Sequence, residues 1–232
     1  MSTLPRSDRP TTIPPLVAGQ RLDRATFHER YEAMPPHTRA ELIGGVVHMP
    51  SPLGYEHADR DFLTTLWLGR YWNATPGLRV LPNATAMLAD DSEVQPDLML
   101  LIRPESGGRS RTQDGFLSGS PELVVEIGRS SRRLDLGPKK ADYERAGVQE
   151  YLFLGLDPDE VRWFILRSHR FEDLRSDEAG VYRSEVFPGL WLDSSALLGG
   201  EMNRVHAVLD QGLATPEHAG FVERLRQARE GA

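Results

Sequence analysis

Apolar positions recur along this chain with two different periods, and the switch between them marks its elements. Residues 54–72 place Phe62, Leu63, Leu66, Trp67 and Tyr71 at helical spacing, which predicts a helix with a core-facing stripe. Residues 98–102 and 123–127 are short, nearly unbroken apolar runs, the pattern of strands covered on both faces. Around Gly44-Gly45, residues 39–49 read as two strand segments joined by a tight hairpin or a bulge. A short helix from Thr26 ends before Pro35-Pro36. Runs at 78–81 and 84–88 lead to an acidic turn, Asp90-Asp91-Ser92-Glu93. Residues 103–120, rich in Gly, Ser, Arg and Asp, read as a long loop fit for a flap or a binding loop. A strand opens at Glu150-Tyr151, residues 161–175 form a hairpin, and residues 181–186 give a closing strand. Beyond Leu197, Val205, Val208, Leu209, Phe221 and Leu225 predict two amphipathic helices split near Thr215-Pro216. These elements make an α/β fold with a mixed central β-sheet flanked by helices. Residues 1–20 are a loose leader, 21–198 the main domain and 199–232 a C-terminal helical extension.

Composition narrows the classes. The 232 residues include no cysteine, which excludes disulfides, thiolate zinc sites and a cysteine nucleophile. No apolar run reaches transmembrane length and no signal-peptide core is visible, so the expectation is a cytoplasmic protein without membrane attachment. A net charge of −7 argues against a non-specific nucleic-acid coat protein but leaves room for an enzyme with a small basic cleft. The seven histidines form no helical His-x-x-x-His pair, and neither a phosphate-binding glycine loop nor a serine elbow is present.

Two kinds of residue break the pattern. Glu126 interrupts the run Leu123-Val124-Val125-Glu126-Ile127, where a buried carboxylate must be paired, coordinated or set at an opening. Lys139 and Lys140 follow Gly137-Pro138 at the start of a helix, the end whose dipole disfavours positive charge. Asp97, after Pro96, begins another apolar strand; if the two strands are neighbours, Asp97 and Glu126 meet at one point. Two carboxylates that close suit Mg²⁺ or Mn²⁺, and a lysine beside them would orient or help deprotonate an attacking water. Lys139 shares a helix face with Tyr143 and Ala146, whereas Lys140 is placed to pair with Glu144. Arg129, Arg132 and Arg133 make the intervening loop locally basic, as phosphate positioning requires. Simpler readings stand beside these. Asp97 could cap a turn, Glu126 could pair with Arg132 or Arg133, and Glu41 could pair with Arg39 or face water.

An ordered set of short motifs adds a family. It comprises Glu41-Leu42-Ile43 with Gly45, Met49-Pro50-Ser51-Pro52 with His57, Gln95-Pro96-Asp97, and Glu122 to Ile127. Asp135 with Gly137 and Lys139, Tyr143, Ala146-Gly147-Val148 with Glu150-Tyr151, and Phe187-Pro188-Gly189-Leu190 complete it. From about Arg39 to Leu198 the chain resembles the Uma2-type (DUF820) endonucleases, a branch of the PD-(D/E)XK nuclease superfamily with a restriction-endonuclease-like fold. The resemblance implies a metal-dependent nuclease acting on DNA, with Asp97 and Glu126 as metal ligands. It also implies Glu41 as an early acid near the same metal and His57 at the cleft edge. The superfamily lysine usually stands two residues after the glutamate, a position held here by Gly128; in this branch it moves to the next helix, where Lys139 stands. A binding module without turnover, or an oligomeric scaffold built on the C-terminal helices, are the rival readings, and a homodimer is compatible with two-strand cutting.

Overall fold

A computed structural model of the chain describes residues 13–231. Helix α1 (Arg24–Glu32) is capped by Asp23, whose side chain accepts from Thr26 N. A hairpin of β1 (Glu41–Ile43) and β2 (Val46–His48) follows, turning on Gly44 and Gly45, both at positive φ as a two-residue turn requires. The long α2 (Tyr55–Ala74) leads to β3 (Leu78–Pro82), β4 (Ala86–Ala89), β5 (Ser92–Val94) and β6 (Leu98–Ile102). Next come β7 (Arg111–Gln113), β8 (Phe116–Ser118) and β9 (Leu123–Gly128). A single turn, α3 (Arg132–Leu134), and a widened turn over Asp135–Lys139 precede α4 (Lys140–Ala146). The chain finishes with β10 (Glu150–Leu156), β11 (Asp159–Arg167), β12 (Arg170–Leu174), β13 (Val181–Arg183), β14 (Trp191–Asp193), α5 (Ser194–Leu198), α6 (Met202–Leu213) and α7 (Pro216–Glu230).

Two six-stranded mixed sheets result. The central one runs β12-β11-β10-β9-β6-β3, with β9 and β10 parallel and the other pairs antiparallel. The other runs β2-β1-β5-β4-β8-β7. Strand alternation divides the core of the central sheet. Leu98, Leu100, Leu123, Val125, Leu152 and Leu154 pack with Trp67 and Tyr71 of α2 and with Val205, Leu209, Phe221 and Leu225 of the C-terminal helices. Met99, Leu101, Val124, Tyr151 and Phe153 pack on the other face with Tyr143 of α4 and with Ile43, Ala86 and Val94 of the second sheet. Glu126 has the parity of Val124, so its carboxylate points into the space between the two sheets and α4.

The α/β fold with a mixed sheet and C-terminal helices is as the sequence predicts; three local expectations are corrected. Residues 103–120 are not a structureless loop but contain the β7–β8 hairpin, turned on Asp114 and Gly115, both at positive φ. Ser92 and Glu93 belong to a buried strand rather than to the acidic turn, with His28 Nδ1 3.0 Å from Glu93 Oε1. On α2 the core stripe is Trp67, Leu68 and Tyr71, while Phe62 and Leu66 face outward.

Candidate active site

The strand pairing that builds the central sheet also assembles the site. Leu98 pairs with Val125, which brings Asp97 beside Glu126 at the same sheet end. Asp97 Oδ2 accepts a hydrogen bond from Ile127 N at 2.7 Å, so its carboxylate extends the β6–β9 ladder, and its Oδ1 lies 3.3 Å from His57 Nε2. His57 stands in the first turn of α2, which is how a helix outside the sheet reaches the carboxylates.

Lys139 enters from the N-cap of α4. The helical path from Arg132 breaks at Gly137 (φ −115, ψ −106), and Pro138, which lacks an N–H, opens the next turn. Lys139 therefore projects from the first turn after the break. Its Nζ lies 2.8 Å from Glu126 Oε1 and 2.9 Å from Glu41 Oε1. One turn on, the Tyr143 hydroxyl donates to Glu126 Oε1 at 2.5 Å, so the helix face shared by Lys139 and Tyr143 clasps one carboxylate. Glu41 also accepts from Gln95 N at 2.7 Å, and its hairpin is held to α4 by Gly44 N donating to Asp142 Oδ2 at 3.0 Å. Neither pairing with Arg39 nor exposure to water describes Glu41, which is buried against Lys139.

Gly128 shows why a lysine on the strand is excluded. A Cβ there would come within 2.5 Å of Asp135 Oδ2 and 2.9 Å of Phe153 Cε2. The space that a strand-borne lysine would cross is filled by Asp135, and the ammonium comes from the N-cap of α4 instead.

The electrostatics follow from burial. Glu126 (4% exposed) is driven well above the usual carboxylate range, first by desolvation and further by Asp97, Asp135 and Glu41, with Lys139 opposing. Burial works against the Lys139 charge, but Glu126, Glu41 and Asp135 outweigh it and raise its pKa, so it stays an ammonium ion. Desolvation also raises Asp135 and the Tyr143 phenol. Desolvation pulls His57 down, yet its bond to Asp97 leaves it raised overall. Asp61, one turn after His57 on α2, is raised by burial and by Asp97, and neither its Oδ1 nor His57 Nδ1 has a hydrogen-bond partner among the described residues.

Glu41, Asp97, Glu126, Asp135 and Lys139 floor a cleft of about 730 Å³. Arg39, His48 and the segment Met49 to His57 form one wall; Arg129, Ser130 and Ser131 form the other. Arg129 is ion-paired with Glu56 across the mouth. Arg132 and Arg133 lie outside the cleft; Arg132 Nε is 2.5 Å from Glu160 Oε1 and Arg133 is exposed. Lys140 does not reach out to Glu144 but covers the Phe164 ring, 3.9 Å from its centroid. Sequence reasoning placed Tyr143 on the right helix face without seeing its bond to Glu126, and it passed over Asp61, whose four-residue spacing from His57 was the available signal.

A family model matches residues 25–195, the stretch that contains every element of the cleft. Its description is Uma2, "Putative restriction endonuclease". The chain belongs to the Uma2 family. Among solved structures, the chain is similar to a protein from Anabaena variabilis ATCC 29413 described as a "putative nuclease belonging to DUF820". The match has a TM-score of 0.53 at 13% identity and covers 78% of this chain and 97% of the other, so what the two share is the fold. No curated protein matches the chain.

Proposed function

We propose that this Uma2 protein is a metal-dependent endonuclease that hydrolyses phosphodiester bonds in DNA. One observation carries the reading. Four buried carboxylates, Glu41, Asp97, Glu126 and Asp135, share a cleft floor with a single ammonium, Lys139. Burial, and then repulsion by Asp97, Asp135 and Glu41, push Glu126 toward protonation, and a bound dication would relieve that repulsion. The donors are carboxylate oxygens, the chemistry of hard cations. Among the described residues no three His, Asp or Glu form a ready-made cage. Mg²⁺ or Mn²⁺ would be held by Asp97 and Glu126, with waters and substrate phosphate oxygens as the other ligands.

When bound, such a cation supplies Lewis-acid polarisation of the phosphoryl oxygen. The chain's own groups do the rest. Lys139, held charged, is no proton acceptor; it orients the attacking water and offsets charge developing on the phosphate. Tyr143 and Lys139 fix the Glu126 carboxylate, Ile127 N fixes Asp97, and His57 shields the outer side of Asp97. Cutting both strands of a duplex would take two such sites, and hence a homodimer.

The test is cleavage of labelled DNA with Mg²⁺, Mn²⁺ or EDTA, for wild type, Asp97→Asn and Glu126→Gln. Metal-dependent cutting that both substitutions abolish supports the reading. DNA that is bound but never cut, with any metal, overturns it in favour of a binding module.

A further inference from the structure

Granting that hydrolytic reading, we infer that the cleft takes single-stranded or locally unpaired DNA rather than an intact duplex. The first reason is depth. Asp97, Glu126 and Lys139 are all buried, and the space above them is about 730 Å³, within the range of about 300–1,000 Å³ usual for pockets that take a small ligand. An unpaired strand can bend its backbone into such a recess, whereas a duplex is a stiff rod with a persistence length of about 50 nm.

The second reason is the rim. Where the cleft meets solvent it presents Met49, Leu53 and Tyr55, the last 84% exposed. These side chains are carried on Met49-Pro50-Ser51-Pro52-Leu53-Gly54, whose two prolines restrict the backbone and so hold the apolar groups in place. Phe62 and Leu66 lie on the same face of α2 as Tyr55 and continue the apolar track away from the cleft. Exposed aromatic and apolar groups beside a phosphate-cleaving centre are a stacking surface for unpaired bases, which every base can use. A duplex hides those faces.

The third reason is charge. Duplex binding grows with the number of phosphates neutralised, and this cleft is poorly equipped for it. Its lining holds Arg39, Arg129 and Lys139; Lys139 is engaged by Glu41 and Glu126, and Arg129 by Glu56. With a net charge of −7 on the chain, affinity has to come from stacking more than from counterion release.

Fluorescence anisotropy in EDTA, with one fluorescein-labelled oligonucleotide alone or annealed to its complement, tests this in the full chain. The single strand is expected to bind more tightly than the duplex. Tyr55→Ala weakens single-strand binding about tenfold, while Tyr55→Trp retains it. Because Tyr55 is exposed, both variants keep the fold. Parallel cleavage in Mn²⁺ follows the same order. Equal or tighter binding and cutting of the duplex overturns the inference, as does a Tyr55→Ala protein that binds the single strand like wild type. So does a Tyr55→Ala protein that changes only its sedimentation, which makes the rim a contact between copies of this chain. If neither form is cut yet the single-strand preference and its dependence on Tyr55 persist, the hydrolytic reading fails and the recognition stands.

Discussion

Glu126 and Glu150 stand on the paired parallel strands β9 and β10, both deeply buried and both pushed toward their protonated forms by desolvation. Their surroundings differ in kind. Glu150 faces α2 and the C-terminal helices and accepts four hydrogen bonds. These come from Trp163 Nε1, the Ser184 hydroxyl, and the backbone N–H groups of Glu185 and Val186. Its oxygens are fully occupied, and it ties the segment before β14 to the sheet. Glu126 faces the other way, meets one ammonium and one phenol, and opens onto a cleft shared with three further carboxylates. Glu122, which accepts from Ile102 N and Arg109 N, sides with Glu150. A buried acid is therefore read by its partners: neutral donors that occupy every oxygen mark a structural strut, while a charged partner and neighbouring acids mark a site for chemistry.

The contrast breaks most visibly in activity. Glu126→Gln is expected to lower DNA cleavage by about a thousandfold or more while leaving the fold intact, since it removes a charge that its neighbours disfavour. Circular dichroism beside the cleavage assay separates the two effects. Lys139→Met comes next: it strands Glu41 and Glu126 without their shared cation and costs about 3–5 kcal/mol in urea unfolding.

For Glu150 the readout is stability and its pH dependence. Burial lifts its pKa from an ordinary 4.5 to about 7, although its four donors pull the other way. A carboxyl raised in the folded state favours folding at pH below 4.5, and that contribution is lost as the pH climbs through about 7. The rise corresponds to about 3 kcal/mol. Urea midpoints measured across this window fall for wild type, and Glu150→Gln makes that slope shallower by the share that Glu150 contributes. The substitution also costs about 1–3 kcal/mol at the acidic end, because its amide nitrogen meets donors instead of acceptors. Cleavage per folded molecule is unchanged.

The smallest effect concerns the mouth. Glu56→Gln releases Arg129 for a phosphate, so DNA binding tightens a few-fold at low salt and the slope of log affinity against log salt steepens by about 0.7–0.9.

Much of this arrangement is legible in the residues, for physical reasons that differ by element. Glu126 is visible because a carboxylate in an apolar run violates the strand pattern, and Lys139 because a cation at a helix start opposes the dipole. Asp97 needed the assumption that β6 and β9 are neighbours, which the register now supplies. The β7–β8 hairpin was hidden because its first strand, Arg111–Gln113, is short, polar and exposed, so that only Asp114-Gly115 signalled a turn. Partner choice was hidden as well. Arg132 reaches Glu160 and Lys140 reaches Phe164, residues brought near by the β10–β11 hairpin rather than by sequence proximity. The outward turn of Phe62 and Leu66 could not be read either, since helical spacing gives a stripe but not which of its edges meets the core.

The central claim is that Asp97 and Glu126 form one cation site and Glu150 does not. Calorimetric titration with Mn²⁺, in the presence of an oligonucleotide, tests it on wild type, Asp97→Asn, Glu126→Gln and Glu150→Gln. Binding by wild type and Glu150→Gln, lost in the other two folded variants, is the predicted result. Heat that survives both cleft substitutions, or no binding by the wild type, contradicts the account.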